Sequence, residues 1–299
     1  MTRTLVVAFF YAIANCLAAA TPVPITTLVV ARQLRVSSAP VGFSLQSVAA
    51  DNNAMALTFT NKGETTLVRF SWDGRELSST SVGSRIVAIT RTSDGGFAGS
   101  GSSAGRTVLQ SFDSSGRALT SAESPTAFMN DMATVGSAIY GSAVDRVVEV
   151  STGGSTTLPF TVKGKQTLAA LANSLVVIDT IEPRLCLINL TNHQLSMVNL
   201  NPAESDGLAY ALDSISQRPE DKLTSLRYVT TNQSNRIYVA IAFYKGSSGM
   251  PVLELNEHGK ILAEFRLLLP PGFYARAIAS RDGELAFINN TGTILVYKL

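Results

Sequence analysis

A unit built of short strands returns about six times along this chain, and that repetition limits the fold more tightly than any single residue does. Each copy opens with a polar residue and an alanine-bearing strand. The six openings are Gln46-Ser47-Val48-Ala49, Arg85-Ile86-Val87-Ala88, Asn130-Asp131-Met132-Ala133, Gln166-Thr167-Leu168-Ala169, Thr224-Ser225-Leu226-Arg227 and Arg276-Ala277-Ile278-Ala279. Self-similarity at roughly 40–50 residues indicates a solenoid or a ring of blades. Units made only of strands select the second, a β-propeller.

The remaining strands follow each opening in a fixed order. A Gly/Asn/Ser turn leads to a second strand (54–60, 96–101, 137–143, 174–180, 235–243, 283–289). A third alternates apolar and polar residues (65–71, 107–113, 146–152, 184–190, 251–257, 293–299). Tight pairs such as Asp73-Gly74, Ser115-Gly116, Gly153-Gly154, Asn192-His193 and His258-Gly259 come next, and most suit the positive-φ positions of two-residue hairpin loops. A fourth strand closes five of the units (75–81, 117–123, 156–162, 194–200, 260–267). Helical periodicity is nearly absent, and period-two alternation supports strands throughout.

The sixth unit stops at Leu299, after its third strand. Residues 26–36 are strand-like, precede the first unit and have no other partner, so they are expected beside the last blade, where they remove an exposed edge. The expected fold is therefore all-β: a six-bladed propeller of four-stranded antiparallel blades, closed by an N-terminal strand. Inner strands converge on the axis, where room is least. Ala49, Ala88, Ala133, Ala169 and Ala279 are expected to share that crowded position, with Arg227 breaking the pattern in blade 5.

Composition bounds the partners. With 45% hydrophobic and 15% charged residues the chain can bury a full core. Its net charge of +2 includes no Lys/Arg run, so the footprint of a nucleic-acid binder is missing. Residues 1–20 have the layout of a secretory signal peptide: Arg3, an apolar stretch from Leu5 to Leu17, and Ala18-Ala19-Ala20 as a cleavage site near Ala20. That stretch is too short for a stable membrane span once cleaved. The expected organisation is a signal peptide (1–20) followed by one propeller domain (21–299), secreted or periplasmic. Cys16 precedes the cleavage site, which leaves Cys186 alone in an apolar strand and no disulfide framework.

Leu175-Val176-Val177-Ile178-Asp179-Thr180 followed by Arg184-Leu185-Cys186-Leu187 resembles the NHL repeat: a strand, Asp-Thr, a short loop, then Arg and apolar residues. Ala138-Ile139-Tyr140 with Asp145–Val148, and 284–289 with 293–297, resemble it more loosely. The similarity to six-bladed NHL-type and lactonase-like propellers spans essentially the whole chain after residue 20. It implies the fold, and it leaves scaffolds, ligand binders, lyases and hydrolases all open.

In that topology the first polar residue of each unit rings one mouth of the central channel: Gln46, Arg85, Asn130, Gln166, Thr224 and Arg276. Guanidinium and amide groups match oxygen acceptors, so this ring suits a carboxylate, a phosphate or a sugar. The plainer role is to hydrate the channel with ordered water. Arg227 must point into the channel or pair with a carboxylate, and Asp131 and Asp51 are the partners that loop position offers. The long connection 201–222 is a candidate lid on the same face, with a short helix at 208–215.

A lactonase-like hydrolase needs a carboxylate-rich set around Ca²⁺ or Zn²⁺. Here Asn130 and Asp131 stand with Arg85 and Arg276, whose charge opposes a divalent cation. A Ser–His–Asp site needs a histidine, and both His193 and His258 fall in hairpin turns on the opposite face. Trp72 is the single tryptophan, and no phosphate-binding glycine loop opens a helix. Gly99–Gly101 instead suggest a strand with a close approach. The sequons at Asn189, Asn232 and Asn289 matter only in a eukaryotic secretory pathway.

The residues point to an exported, non-catalytic binding module with no cofactor or metal. Its expected partner is a small anionic or sugar-like ligand, or an envelope or extracellular protein. A lactonase-like hydrolase or lyase acting on a small sugar-derived or carboxylated substrate is the alternative.

Overall fold

The structure, a computed structural model, describes residues 22–124, 129–143, 146–151, 154–161, 167–179, 184–209, 226–241 and 249–299. Residues 1–20, read above as a signal peptide, Gln166, Thr224 and the part of the long connection from residue 210 to 222 lie outside those residues.

Two short strands, β1 (Ile25–Leu28) and β2 (Arg32–Arg35), precede the repeats. Blade 1 is β3 (Ser44–Ala50), β4 (Ala54–Asn61), β5 (Glu64–Ser71) and β6 (Glu76–Val82). Blade 2 is β7 (Arg85–Arg91), β8 (Phe97–Ser103), β9 (Arg106–Phe112) and β10 (Ala118–Glu123). Blade 3 is β11 (Asp131–Val135), β12 (Ala138–Ala143), β13 (Arg146–Ser151) and β14 (Gly154–Thr161). Blade 4 is β15 (Thr167–Ala170), β16 (Ser174–Asp179), β17 (Arg184–Asn189) and β18 (Gln194–Asn199). Blade 5 is β19 (Leu226–Thr231), β20 (Ile237–Ile241), β21 (Met250–Leu255) and β22 (Ile261–Leu267). Blade 6 is β23 (Ala275–Arg281), β24 (Glu284–Asn289) and β25 (Thr293–Lys298).

Within each blade, consecutive strands pair antiparallel. The inner strands β3, β7, β11, β15, β19 and β23 neighbour one another in a closed circle. The chain is thus a six-bladed β-propeller. Its second strands are buried on both faces, because each is clasped between neighbouring blades; β20 and Glu284–Ile288 of β24 are buried without interruption. Outer strands are half wet, and β10 is exposed along its length. The core therefore lies in the seams between blades. Phe59, Phe70 and Trp72 of blade 1 pack with Ala277, Ile288 and Val296 of blade 6. Tyr140 and Leu158 of blade 3 pack with Val177 and Ile188 of blade 4. Each large apolar side chain so buried contributes about 1.5–3 kcal/mol.

The N-terminal closure is divided between two blades. β2 pairs antiparallel with β25 and supplies the missing outer strand of blade 6, as expected. β1 instead pairs parallel with β22 and makes blade 5 five-stranded. The chain steps between the blades at Val29–Ala31, because β22 offers a free ladder there: Glu264 N donates to the Pro24 carbonyl and Leu268 N to that of Leu28. Glu284, with its side chain 8% exposed, locks the closure. It accepts two bonds from Arg32 Nη2, at 2.6 and 2.7 Å, and a third from Arg281 Nε at 2.8 Å. The Arg281 guanidinium lies 5.1 Å over the Trp72 ring, which carries the clasp on into blade 1.

Four of the five axial alanines, Ala49, Ala133, Ala169 and Ala279, line the channel. Ala88 does not. A bulge at Val87 shifts the register of β7, so Ala88 is buried between blades with Ala98 and Met132, and Thr90 reaches the channel wall.

Candidate functional site

Inner strands run from the upper to the lower end of the ring. Antiparallel pairing therefore puts the second-to-third-strand turns and the blade-to-blade connections on the upper face. One axial cavity of about 570 Å³ runs from Gln46, Asn130 and Arg276 above to Asn52, Gly136 and Gln233 below. Its middle is a belt of hydroxyls that join neighbouring blades. Thr90 Oγ1 lies 3.1 Å from Thr134 Oγ1, Thr230 Oγ1 lies 3.2 Å from Ser280 Oγ, and Ser47 Oγ accepts from Ile89 N at 3.2 Å.

The predicted ring is brought together only in part. Gln46, Asn130, Asp131 and Arg276 line the cavity. Arg85 sits outside it, exposed, in a shallow groove between blades 1 and 2 that it shares with Gln46. Gly101 permits this placement, since a Cβ there would overlap the Arg85 carbonyl. Gln166 and Thr224 lie outside the described residues.

Arg227 does not occupy an axial alanine position, and this corrects the sequence alignment. It is the extra residue of a bulge between Leu226 and Tyr228, just as Gln46 is in blade 1 and Arg276 in blade 6. Bulges re-aim side chains: Tyr228 takes the channel wall, and the Arg227 guanidinium lies 5.3 Å from the centre of that ring. The Tyr228 hydroxyl donates to the Ala275 carbonyl at 2.9 Å. Burial pushes its phenol above the ordinary value, against the opposing pull of Arg227 and Arg276. The two arginines thus flank one tyrosine at the seam of blades 5 and 6.

Of the two offered carboxylates, Asp131 lines the upper mouth and Asp51 does not. Asp51 lies at the lower end, where it pairs with Arg91 and accepts from the backbone amides of Asn53 and Ala54. Asp131 stitches blade 3 to blade 4, since Oδ1 accepts from Met132 N and Oδ2 from Leu168 N, both at 2.9 Å. Among the described residues no three His, Cys, Asp or Glu side chains come together as a metal site.

The described part of the long connection is not a lid over the mouth. Asn201 caps a single 3-10 turn (Pro202–Glu204), and residues 206–209 form a helical turn capped by Ser205 Oγ, which accepts from Leu208 N at 3.1 Å. This segment lies along β22 at the rim. Glu264, 0% exposed, accepts from Ser205 Oγ at 2.7 Å and Gly207 N at 3.2 Å, and it pairs with Arg266 at 3.2 Å. A buried carboxylate draws polar partners to itself, which explains the rim position.

One upper-face feature is visible in the sequence. Pro40-Val41-Gly42-Phe43 and Pro270-Pro271-Gly272-Phe273 are the same turn, leading into blades 1 and 6. In each the Phe amide donates to the first Pro carbonyl at 3.1 Å, and the glycine has φ of 83° or 78°. The second turn places Tyr274, 79% exposed, two residues before Arg276.

No family model matches this chain, and no curated protein matches it in sequence. Solved structures do share its shape. Virginiamycin B lyase from Staphylococcus aureus is 12% identical, with a TM-score of 0.53 over 90% of this chain and 88% of that one. A catalytically inactive histidine-to-alanine form of that lyase with quinupristin is 11% identical, with a TM-score of 0.55 over 89% and 87%. U3-55K is 12% identical, with a TM-score of 0.55 over 89% and 80%. At such identities the likeness establishes the propeller fold alone.

Proposed function

We propose that this propeller is an exported, non-catalytic binding module of NHL-like type that receives a small anionic or sugar-like ligand at the upper mouth of its channel. The observation that carries the reading is the chemistry of that mouth: among the described residues Arg276, Gln46 and Asn130 face the cavity, and the carboxylate that lines it with them, Asp131, accepts from two backbone amides. Guanidinium and amide donors without a free carboxylate recognise oxyanions and hydroxyls. Export rests on the layout of residues 1–20. A lactonase-like hydrolase or lyase acting on a small sugar-derived or carboxylated substrate is the second reading, and the similar Staphylococcus aureus protein is a lyase. Both histidines of this chain stand in lower-face turns, His258 with its side chain 80% exposed, and so cannot reach a ligand at the upper mouth.

The test is a thermal-shift screen of the purified protein against sugar acids, lactones and divalent metals, with and without EDTA. A ligand that binds only the folded chain at a hundredfold its Kd stabilises by about 2.7 kcal/mol. The expected result is a rise with an acidic sugar that Arg276→Ala abolishes, and indifference to EDTA. Stability lost to EDTA and restored by Ca²⁺ or Zn²⁺ would replace this reading with the metal-dependent hydrolase.

A further inference from the structure

The mouth is continuous with a second feature that the channel does not need. The groove between blades 1 and 2 is lined by Gly42, Ser44, Gln46, Thr60, Asn61, Lys62, Gly63, Arg85 and Ser102. It holds two cations, two amides and three hydroxyls, and no carboxylate. Among the described residues neither Lys62 nor Arg85 makes an ion pair, whereas Arg32, Arg91, Arg266 and Arg281 all do. Glu64, the acid nearest in the chain, is not part of the groove.

Lys62 is also in an unusual conformation. It is the first central residue of a two-residue hairpin turn with φ of 45°, followed by Gly63 at 103°. Such turns favour Asn-Gly, and a lysine gains nothing there from its backbone. The equivalent turn of blade 2 carries Ala104 at 48°, so the turn belongs to the fold and the charge does not. Left-handed residues that the fold tolerates are places to look for function.

Resting on the binding reading above, we propose that the ligand is an acidic oligosaccharide lying across three consecutive blades. One sugar unit covers the mouth against Tyr274 and Arg276 of blade 6. The chain passes Gln46, which lines both channel and groove. An acidic unit then occupies the groove, its carboxylate held by Lys62 of blade 1 and Arg85 of blade 2, its hydroxyls by Asn61 and Ser102. The exposed Tyr274 ring gives the first unit an apolar platform. The two cations give the second its charge preference, which salt weakens.

Titration calorimetry with trigalacturonate, its methyl ester and inorganic phosphate tests this on the full chain. The variants are Lys62→Asn/Arg85→Ala, in which asparagine suits the turn, and Arg276→Ala. Charged hydrogen bonds of this kind make a difference of about tenfold or more in Kd. The acid should bind at least that much tighter than the ester, and the double variant should remove most of that preference, leaving the part due to Arg276 and the ester's own affinity unchanged. Arg276→Ala should weaken both. Phosphate competing with the acid, but not with the ester, would place the competition in the groove. If the double variant binds the acid like the parent while Arg276→Ala does not, the groove assignment is wrong and the mouth reading stands. If no saccharide binds while another anion still responds to Arg276→Ala, the oligosaccharide is wrong. If Arg276→Ala changes nothing, both readings fall.

Discussion

The arginines at the closure seam and those on the upper face carry the same charge in opposite settings. At the seam, Arg32 and Arg281 converge on Glu284, and on blade 5 Arg266 grips Glu264. On the upper face, Arg276 and Arg85 are exposed, and among the described residues neither makes an ion pair. Carboxylates as buried as Glu264 and Glu284 are costly unless paired, so the seam arginines hold the ring shut. Cations outside such buried pairs add nothing comparable to stability and remain available to an outside anion. What separates the two groups is the burial of the partner, not the residue type.

The comparison breaks most visibly at Glu284. Glu284→Ala leaves two arginines facing each other beside the closing strand, and breaking a buried pair costs 3–5 kcal/mol. Arg32 and Arg281 keep about a third of their side-chain surface in water (33% and 28%), so the expected loss is near the lower limit, about 3 kcal/mol. Arg276→Ala should stay within about 0.5 kcal/mol, as surface changes do. Urea unfolding of the two variants measures the contrast directly. Equal losses would show that closure does not depend on the clasp.

Glu264→Ala should have a smaller, local effect. Removing the carboxylate takes the acceptor from the Ser205 hydroxyl and the Gly207 amide, at about 1–3 kcal/mol for orphaned buried polar groups, while Arg266 keeps its pair with Asp206 at 3.2 Å. Hydrogen exchange should rise at Ser205–Ala209 and along β1 before it rises in the inner strands. Uniform acceleration around the ring would show that the rim segment is not a separable unit.

Much of this arrangement could be read from the residues, because blade structure is local. Alternation, Gly-rich turns and axial alanines follow from packing that each repeat performs with its neighbours, and they recur at a fixed period. What could not be read depends on single insertions. A bulge is one extra residue, indistinguishable in sequence from a strand that starts one position later. Val87 and Arg227 therefore moved Ala88 off the axis and Arg227 out of the alanine position. The divided closure was hidden for a related reason: residues 26–36 carry no break, and the handover from blade 5 to blade 6 is set by the distant edge of β22. The groove is not legible in the repeat because Lys62 belongs to a hairpin turn, outside the polar residues that open each unit.

The smallest effect sharpens the contrast from the side of pH. Asp73, Asp94 and Asp113 stand in lower-face turns of blades 1 and 2. Each is held below its ordinary value of 3.8, first by a hydroxyl (Ser71, Thr92 and Ser115 respectively) and then by backbone amides. A carboxyl lowered in the folded chain leaves the unfolded chain binding more protons in acid. Its contribution is therefore complete above pH 4 or so and drains away as pH falls through the lowered folded value. These groups are exposed, so the contribution should be slight and should appear only at the acid end. Asp73→Asn/Asp94→Asn/Asp113→Asn keeps the turns and removes the titration. Melting temperatures of parent and triple variant should differ above pH 4 and converge towards pH 2. A difference that stays constant down to pH 2 would mean that turn geometry, rather than charge, is what these aspartates supply.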